Sequence, residues 1–542
     1  MTDMPVLQFQ AELTPRPFAE TGRPAGGFQR DDGQVIALCS DFDLLYWPGR
    51  AIYDGQRLRH RISLYSRGFE RLLGVFDEAH FPVNDIAFHP TQPIIAVGTG
   101  SYDGGYMFEG DLWLWNWETG EVRNLLGESR EVVQCRFVDS SRLAVTLRPR
   151  FEDEFGGEEN EALETCVGLI LDDLRDAIEA GFKLPQGEGD PRLVDLVPLD
   201  PGSLGFSTPP MHFKERRQRF DAALGGSANY EERARAWDVR WITAERIALV
   251  HDNCHIEVWN VNGEREVQVT GEGFGVQILG GPNGPLVHVV RRANYSETTD
   301  DRSTLFRLVS SGLEQVHEFD GAVVISMDDK GNLLCRDPGD WQRKRGRMDQ
   351  VLTSELNQVF AGDLGHYDCF NHFMRLDGGD GLYFLQGTPP SSHEHKRLCR
   401  FNSDGSVSPV FKWDDAKSHL MNGSACWGPN GSLLRSFSVY DPCPGQSSKK
   451  IQRCNVATGR ALWTTEVSAL VTSMAIIGEE FLAYALTDGE IGLLSIEDGS
   501  VLFQGAVKIG DAPSVATAIA ANGSRLAIGT IDARLLLYAL EF

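Results

Sequence analysis

The stretch VTSMAIIGEEFLAYALTDGEIGLLSIEDGSVLFQGAV, residues 471–507, decides the fold class. Four runs of five to eight residues, rich in β-branched and aromatic side chains, alternate with short polar segments, a pattern typical of strands. Asp488-Gly489 and Asp498-Gly499 stand where tight hairpin turns are expected, because glycine accepts the positive φ of such turns. The stretch therefore predicts one antiparallel unit of four strands.

The same arrangement recurs along the chain. Residues 83–127 and 236–271 repeat it clearly, weaker copies lie between and around them, and about ten units are visible in all. A twisted sheet cannot bury both of its faces alone, so such units are expected to stack radially around an axis. The prediction is an all-β fold: a β-propeller of four-stranded antiparallel blades, about 7 to 10 in number, filling residues 1–542 as a single domain.

The last copy, residues 514–542, stops after three strands. A missing strand leaves an open sheet edge, which proteins usually cover or pair. The segment VLQFQAEL, residues 6–13, has the pattern of a spare strand. We therefore expect this N-terminal strand to complete the last unit and close the ring.

The segment HDNCHIEVWN, residues 251–260, resembles a WD40 repeat, with an acidic turn residue followed by a strand that ends in a Trp-Asn pair rather than Trp-Asp. The repeats are degenerate, and the Gly-His pair of that family is not in its usual place. The resemblance implies a WD40-like propeller and a structural role for the residues that match the turn position: Asp252, Asp488 and Asp532.

Composition excludes some functions. With 51 basic and 77 acidic residues the chain carries a net charge of −26, which repels nucleic-acid backbones and anionic lipid surfaces. The longest uncharged apolar-rich stretch, residues 273–290, is broken by GGPNGP and predicts no membrane span. The start of the sequence lacks a signal-peptide pattern, so a cytoplasmic location is expected, and the excess of arginine over lysine suggests a bacterial origin.

Two segments depart from the strand pattern before residue 236. Residues 152–164 form an acidic loop, interpreted either as a solvated loop or as a site for Ca²⁺ or a basic partner, although the spacing of an EF-hand is missing. Residues 174–235 are a long, partly helical insertion between blades. Its basic cluster is either a solvated helix face or a binding site for phosphate or an acidic partner, and it consists of Lys214, Arg216, Arg217 and Arg219.

A third departure is the loop GDWQRKRGRMDQ, residues 339–350. It combines an aromatic ring with four cations, which suits an acidic peptide through charge and stacking, but it would equally serve to neutralise neighbouring acidic residues. Its candidate partner-binding residues are Trp341, Arg343, Lys344, Arg345 and Arg347.

Two further loops carry histidines, GHYDCFNHF at residues 365–373 and SSHEHKR at residues 391–397. Neither supplies the four converging ligands of a structural zinc site, so no metal is predicted. The chain contains no GxSxG, GxxxxGK[ST] or HExxH motif, and neither catalytic residues nor a cofactor are assigned.

These observations favour a non-catalytic scaffold for protein–protein interaction, or a regulatory subunit whose partner is an ATPase or effector encoded nearby. The alternative is a propeller enzyme, a hydrolase or lyase, with carboxylates from distant units meeting at the mouth of a central channel.

Overall fold

The computed structural model describes residues 5–15, 17–42, 46–47, 50–51, 56–102, 107–126, 129–150, 167–171, 213–226, 230–232, 234–281, 284–290, 302–309, 312–337, 348–366, 374–387, 396–413, 419–440 and 448–542. The chain divides into two compact units. The smaller unit spans residues 17–42 and 58–232, and the larger unit spans residues 1–16, 43–57 and 233–542. In the described residues no helix is long and apolar enough to cross a membrane.

The first part of the chain contains sixteen described strands, one 3-10 turn and one α-helix. They are β1 (Val6–Glu12), β2 (Arg23–Gln29), β3 (Val35–Asp41), β4 (Tyr46–Trp47), β5 (Arg50–Ala51), β6 (His60–Ser66), the 3-10 turn Arg67–Phe69, β7 (Leu72–Phe76), β8 (Val83–Phe88), β9 (Ile94–Thr99), β10 (Ser101–Tyr102), β11 (Phe108–Glu109), β12 (Leu112–Asn116), β13 (Val122–Asn124), β14 (Val132–Phe137), β15 (Leu143–Leu147), β16 (Val167–Leu171) and α1 (Phe213–Leu224).

The rest of the described chain is built from strands. They are β17 (Ala236–Trp241), β18 (Arg246–His251), β19 (His255–Asn260), β20 (Arg265–Thr270), β21 (Phe274–Gly281), β22 (Gly284–Val290), β23 (Arg302–Val309), β24 (Gly312–Asp320), β25 (Val323–Asp328), β26 (Leu333–Arg336), β27 (Asp349–Leu352), β28 (Gln358–Gly362), β29 (Leu376–Gly379), β30 (Leu382–Gln386), β31 (Arg397–Phe401), β32 (Val407–Lys412), β33 (His419–Gly428), β34 (Ser432–Tyr440), β35 (Ser448–Asn455), β36 (Ala461–Val467), β37 (Val471–Ile477), β38 (Phe481–Leu486), β39 (Glu490–Ser495), β40 (Val501–Ala506), β41 (Lys508–Ile509), β42 (Ala512–Pro513), β43 (Ala516–Asn522), β44 (Arg525–Thr530) and β45 (Leu535–Glu541).

The smaller unit stacks three antiparallel sheets: β2-β3-β6-β7, β8-β9-β12-β13 and β14-β15-β16. Alternate side chains of the first sheet point to opposite faces, as the pleat requires. Ala37 and Cys39 pack towards the second sheet, in a cluster that includes Val97. Ile36 and Leu38, on the other face, pack against α1. The helix therefore covers the face of the first sheet that no neighbouring sheet covers among the described residues.

Helix α1 lies directly against β2. Phe220 is fully buried in an aromatic cluster with Phe18 and Tyr65. At Gly27 of β2, a Cβ atom would lie 2.6 Å from the Cβ of Ala223, so the close approach of helix and strand requires glycine there. The helix is thus a packed part of this unit.

The substitution Gly27→Val tests this packing. The added side chain overlaps the helix, and we expect the free energy of unfolding in urea to fall by about 1–3 kcal/mol, the usual cost of overpacking. Gln29→Val, at an exposed position of the same strand, is the matched control and should leave stability nearly unchanged. Equal effects of the two substitutions would show that α1 does not pack on β2.

The larger unit contains the remaining regular sheets. Five are four-stranded: β17-β18-β19-β20, β21-β22-β23-β24, β33-β34-β35-β36, β37-β38-β39-β40, and β43-β44-β45 with β1. Strands β25 to β28 form another sheet, to which β29 adds in parallel through β25, and β30-β31-β32 follow as a three-stranded sheet.

The first strands of these sheets lie beside one another in a fixed order. Strand β17 neighbours β21 and β43, and the series continues from β43 to β37, β33, β29 and β25. Each pair of neighbouring sheets shares an apolar cluster. In β38, for example, Leu482 and Tyr484 pack towards β34 and β35, whereas Ala483 and Ala485 pack towards the sheet of β43 to β45. Burial on both faces explains why these strands are apolar throughout.

The predicted hairpin turns are present in this unit. Gly489 and Gly499 have φ values of 89° and 75°, which favour glycine over any side chain. The carboxylate of Asp488 accepts a hydrogen bond from the amide of Glu490. At the equivalent turn of the last sheet, Asp532 accepts hydrogen bonds from the hydroxyls of Ser514 and Thr530.

The predicted N-terminal strand forms. Strand β1 pairs antiparallel with β45, from Val6 opposite Glu541 to Glu12 opposite Leu536, and supplies the fourth strand of the last sheet. Leu7 is 5% exposed and belongs to the apolar cluster that this sheet shares with its neighbour.

The fold is nearly all β, with many four-stranded antiparallel sheets, as the repeat pattern predicted, and the arrangement is propeller-like. That a single propeller spans residues 1–542 stays a prediction. The acidic loop at residues 152–164 lies outside the described residues, as does most of the insertion at residues 174–235 apart from α1 and a few residues after it.

Shortening Leu7 to alanine tests the contribution of β1. Because the side chain is buried between sheets, Leu7→Ala should lower the free energy of unfolding by about 2–4 kcal/mol. The control Gln8→Ala changes an exposed residue of the same strand and should have little effect. Indistinguishable melting temperatures for the two variants would contradict the pairing of β1 with the last sheet.

Candidate functional site

A cavity of about 280 Å³ opens where first strands of the larger unit converge. Strands β17, β33, β37 and β43 supply most of its wall, together with one residue just before β29. The described lining residues are Asp238, Val239, Arg240, Trp241, Arg375, Ser424, Ala425, Ser473, Met474, Ile519, Ala520 and Ala521.

Two arginines and two aspartates form a network at this cavity. Arg375 donates through Nη1 to Asp238 at 2.6 Å, and its Nε lies 3.0 Å from a carboxylate oxygen of Asp377. Arg240 lies 3.6 Å from the same Asp377 oxygen. The carboxylate of Asp238 also accepts the amide of Ile278 at 2.9 Å. The charges balance within the network, and its geometry is fixed by strands of different sheets.

The guanidinium of Arg375 carries a positive charge. Burial acts to lower the pKa of this guanidinium, but Asp238 and Asp377 raise it by a larger amount, so the net pKa lies above its ordinary value. The side chain is still 23% exposed, so a ligand can reach it. Trp241 at the wall is held by a hydrogen bond from its indole N–H to the carbonyl of Ala520. The wall is therefore polar, charged and preformed.

A serine–histidine contact occurs deeper in the larger unit. His288 Nε2 lies 3.2 Å from the hydroxyl of Ser303, and both residues are fully buried. Burial and the nearby Arg375 lower the pKa of His288 to about 3, so the imidazole is neutral. Ser303 donates its proton to the carbonyl of Ala322. Because the Ser303 hydroxyl donates to a backbone carbonyl and both side chains are fully buried, this pair is not placed to act on a substrate as nucleophile and base.

The described side chains of the predicted basic cluster all contact the smaller unit. Arg216 Nη2 donates to Asn84 at 2.5 Å. Arg217 pairs with Asp221 and with Glu232. The guanidinium of Arg219 lies 5.9 Å from the centre of the Phe28 ring. Each of these arginines thus has a contact within its own unit, and the role of Arg216, Arg217 and Arg219 in binding a partner stays a prediction.

The other predicted binding residues lie where the structure gives no side-chain description. The side chain of Lys214 lies outside the described residues. The same holds for the segment 338–347, which contains Trp341, Arg343, Lys344, Arg345 and Arg347. Of the histidine loops, His366 is described, but Asp368, Cys369, His372, His393 and His395 are not.

Buried arginines are a feature that sequence reasoning missed. Arg336, fully buried, donates to Asp349 at 3.1 Å and lies over the ring of Phe384. Arg435 stacks on Trp413, with its Cζ 4.2 Å from the ring centre, and donates to the carbonyl of the same residue. These arginines tie neighbouring strands and loops together within the larger unit. In the sequence, the only signal of this role is that these arginines lie within runs of apolar residues.

Asp85 of the smaller unit gives a pH-dependent test of this packing. Burial raises the pKa of Asp85 to about 6, although hydrogen bonds from the amides of Cys135 and Ile86, and the charge of Arg219, act to lower it. The folded state thus holds this proton more tightly than the unfolded state, and stability falls as pH rises from about 4 to about 6. In the variant Asp85→Asn, the side-chain carbonyl would still accept the amide of Cys135 but could not ionise.

We expect Asp85→Asn to match the original protein below pH 4 and to exceed its stability by about 1–3 kcal/mol above pH 6, allowing for partial solvation of the carboxyl. Thermal melts over a pH series provide the measurement. A stability difference that does not change with pH would contradict the raised pKa of Asp85.

Comparisons with known proteins give little further information. No protein-family model matches the chain. No curated protein matches it. Among solved structures, the crystal structure of Chaetomium thermophilum Raptor is similar with a TM-score of 0.41 and 14% sequence identity, over 57% of this chain. The match spans only 28% of that chain, and at this TM-score it carries no argument about fold or function.

Proposed function

We propose that this protein is a non-catalytic scaffold for protein–protein interaction, built on a WD40-like propeller and binding a partner through the cavity in its larger unit. The observation that carries the proposal is the polar cavity of about 280 Å³ at the meeting point of first strands from several sheets. A preformed recess with a few convergent polar groups is the usual form of a binding site.

The proposed frame is a closed ring of seven sheets within the larger unit. Its support is the neighbour series of first strands, which runs from β17 through β43, β37, β33 and β29 to β25, and also from β17 to β21. The contact that would close the ring lies between the sheets that begin with β21 and β25. It is an apolar cluster in which Leu279 and Leu286 pack with Val324 and Met327. With β1 completing the final sheet, each described sheet in such a ring has a neighbour on both faces.

The chemistry of the cavity suits a protein segment better than an extended small molecule. Its volume matches one or two side chains, and its charged wall offers a guanidinium from Arg375 beside a carboxylate from Asp238. A partner group with both a donor and an acceptor, such as a side-chain amide or a turn of backbone, would be bound by both. Met474 and Ile519 add apolar contact.

The paired state of Asp238 supports a non-catalytic role. Its carboxylate contacts a guanidinium and a backbone amide, so it is not positioned as a free general base. The lining residues that the structure describes include neither histidine nor cysteine. The basic helix α1 and the Trp341 loop remain proposed contacts outside the cavity, and the proposed partner class is an ATPase or effector encoded nearby.

Filling the cavity tests the proposal. Ala520→Trp enlarges a side chain at the wall of the recess, and Ala461→Trp makes the same change at an exposed position of β36 as the control. Tagged forms of both variants and of the original protein would be purified from native cells, and co-purifying proteins quantified by mass spectrometry. We expect a stoichiometric partner with the original and the control, reduced at least tenfold with Ala520→Trp.

Melting temperatures of the two variants within a few degrees of the original would confirm that the fold is retained. Absence of any stoichiometric partner, or equal recovery with the filled cavity, would overturn the proposal.

A further inference from the structure

The hairpin of β18 and β19 carries a buried cluster outside the cavity. His251 ends β18, and His255 and Glu257 lie two residues apart on one face of β19. Each offers one ligand atom, and these atoms all lie within 4.8 Å of one another. All three residues are buried, His251 and Glu257 completely.

Hydrogen bonds to the far side of each imidazole determine which nitrogen faces the cluster. His251 Nδ1 lies 2.9 Å from the carbonyl of Ala234, which can only accept, so Nδ1 carries the proton. Nε2 of the neutral ring then presents a lone pair. His255 Nδ1 contacts the hydroxyl of Thr270 at 3.0 Å, which leaves its Nε2 directed at Glu257. Outer partners of this kind orient histidines that bind metals.

His251 Nε2 is the decisive atom. It has no hydrogen-bond partner among the described residues, although the side chain is fully buried. The closest carboxylate oxygen of Glu257 is 3.7 Å away, beyond hydrogen-bond distance. A lone pair that faces a carboxylate in a buried site is unfavourable unless a positive charge, from a metal ion or from a proton, lies between them.

Glu257 is also held in place from outside the cluster. The indole N–H of Trp259 donates to Oε2 at 2.9 Å, and Arg265 donates to Oε1 at 3.1 Å. Arg265 remains 35% exposed, so its charge is partly solvated. The carboxylate therefore keeps a fixed orientation towards both imidazoles.

We propose that His251, His255 and Glu257 bind one Zn²⁺ ion, which links the two strands of this hairpin. Two imidazole nitrogens and one carboxylate oxygen are ligands that Zn²⁺ accepts, with a water completing the four positions. Because the three residues are buried, the ion would tie the end of β18 to β19 and, through the Ala234 carbonyl, the segment that enters β17.

A proton on His251 is the competing explanation, since an imidazolium would also satisfy the Glu257 carboxylate. A metal ion needs a neutral ring with its lone pair on Nε2, which is the tautomer that the Ala234 hydrogen bond selects when the ring is neutral. The two explanations differ in whether purified protein takes up metal.

The test measures metal binding by the whole chain. The original protein, stripped with chelator and dialysed, would be titrated with Zn²⁺ by calorimetry and with Co²⁺ by visible absorption. His251→Asn is the main variant, because the asparagine amide can still donate to the Ala234 carbonyl but lacks the Nε2 ligand. His317→Gln, a partly exposed histidine of the same unit, is the matched control.

We expect one Zn²⁺ per chain for the original and the control, with tetrahedral Co²⁺ absorption, and at least a hundredfold weaker binding by His251→Asn. Zn²⁺ should also raise the melting temperature of the original and of the control, but not of the variant. Absence of stoichiometric Zn²⁺ binding by the original would overturn the proposal. Equal binding by the original and His251→Asn would do the same, since the ion would then lie elsewhere.

Discussion

The larger sheets among the described residues have two apolar faces to cover, and this requirement organises the structure. Strand β38 shows it at the level of single residues, with Leu482 directed to one neighbouring sheet and Ala483 to the other. A face left open would expose a contiguous apolar surface to water, and the exposure would cost a free energy of roughly 25 cal/mol for each Å². The larger unit meets the requirement with neighbouring sheets, and the smaller unit uses α1 for one of its faces. The packing of the sheets fixes the positions of the cavity, the hairpins and the buried charges.

Much of the fold could be predicted from the sequence, because strands and turns have local signals. Asp-Gly pairs marked the turns at Gly489 and Gly499, and the three-strand ending of the last repeat identified β1 as its partner. The division into two compact units had no such signal, since strands of both units share one pattern. The buried arginines were also missed: the partner of Arg61, for instance, is Asp77 on a loop sixteen residues later, and composition favours the surface for both.

The candidate sites differ in how far they could be predicted. Asp238 and Arg375 lie 137 residues apart and meet only after the first strands of several sheets have assembled, so no window of sequence shows their contact. The cluster of His251, His255 and Glu257 lies within seven residues, and its i, i+2 spacing on a strand was a readable signal. The same segment resembles a WD40 turn and strand, and that resemblance gives its acidic and aromatic residues a structural explanation.

The pairing of β1 with β45 also imposes an order on synthesis. Leu7 and its partner Leu540 are separated by more than five hundred residues, and at roughly 5–20 residues per second the ribosome needs on the order of a minute to reach the second from the first. Throughout that time the segment that becomes β1 lacks its partner strand, and it carries Val6 and Phe9, which stay exposed even in the folded protein. The final sheet is thus completed only after more than five hundred further residues have been translated, and a nascent chain has a long interval in which a chaperone, or another copy, could take the place of β45.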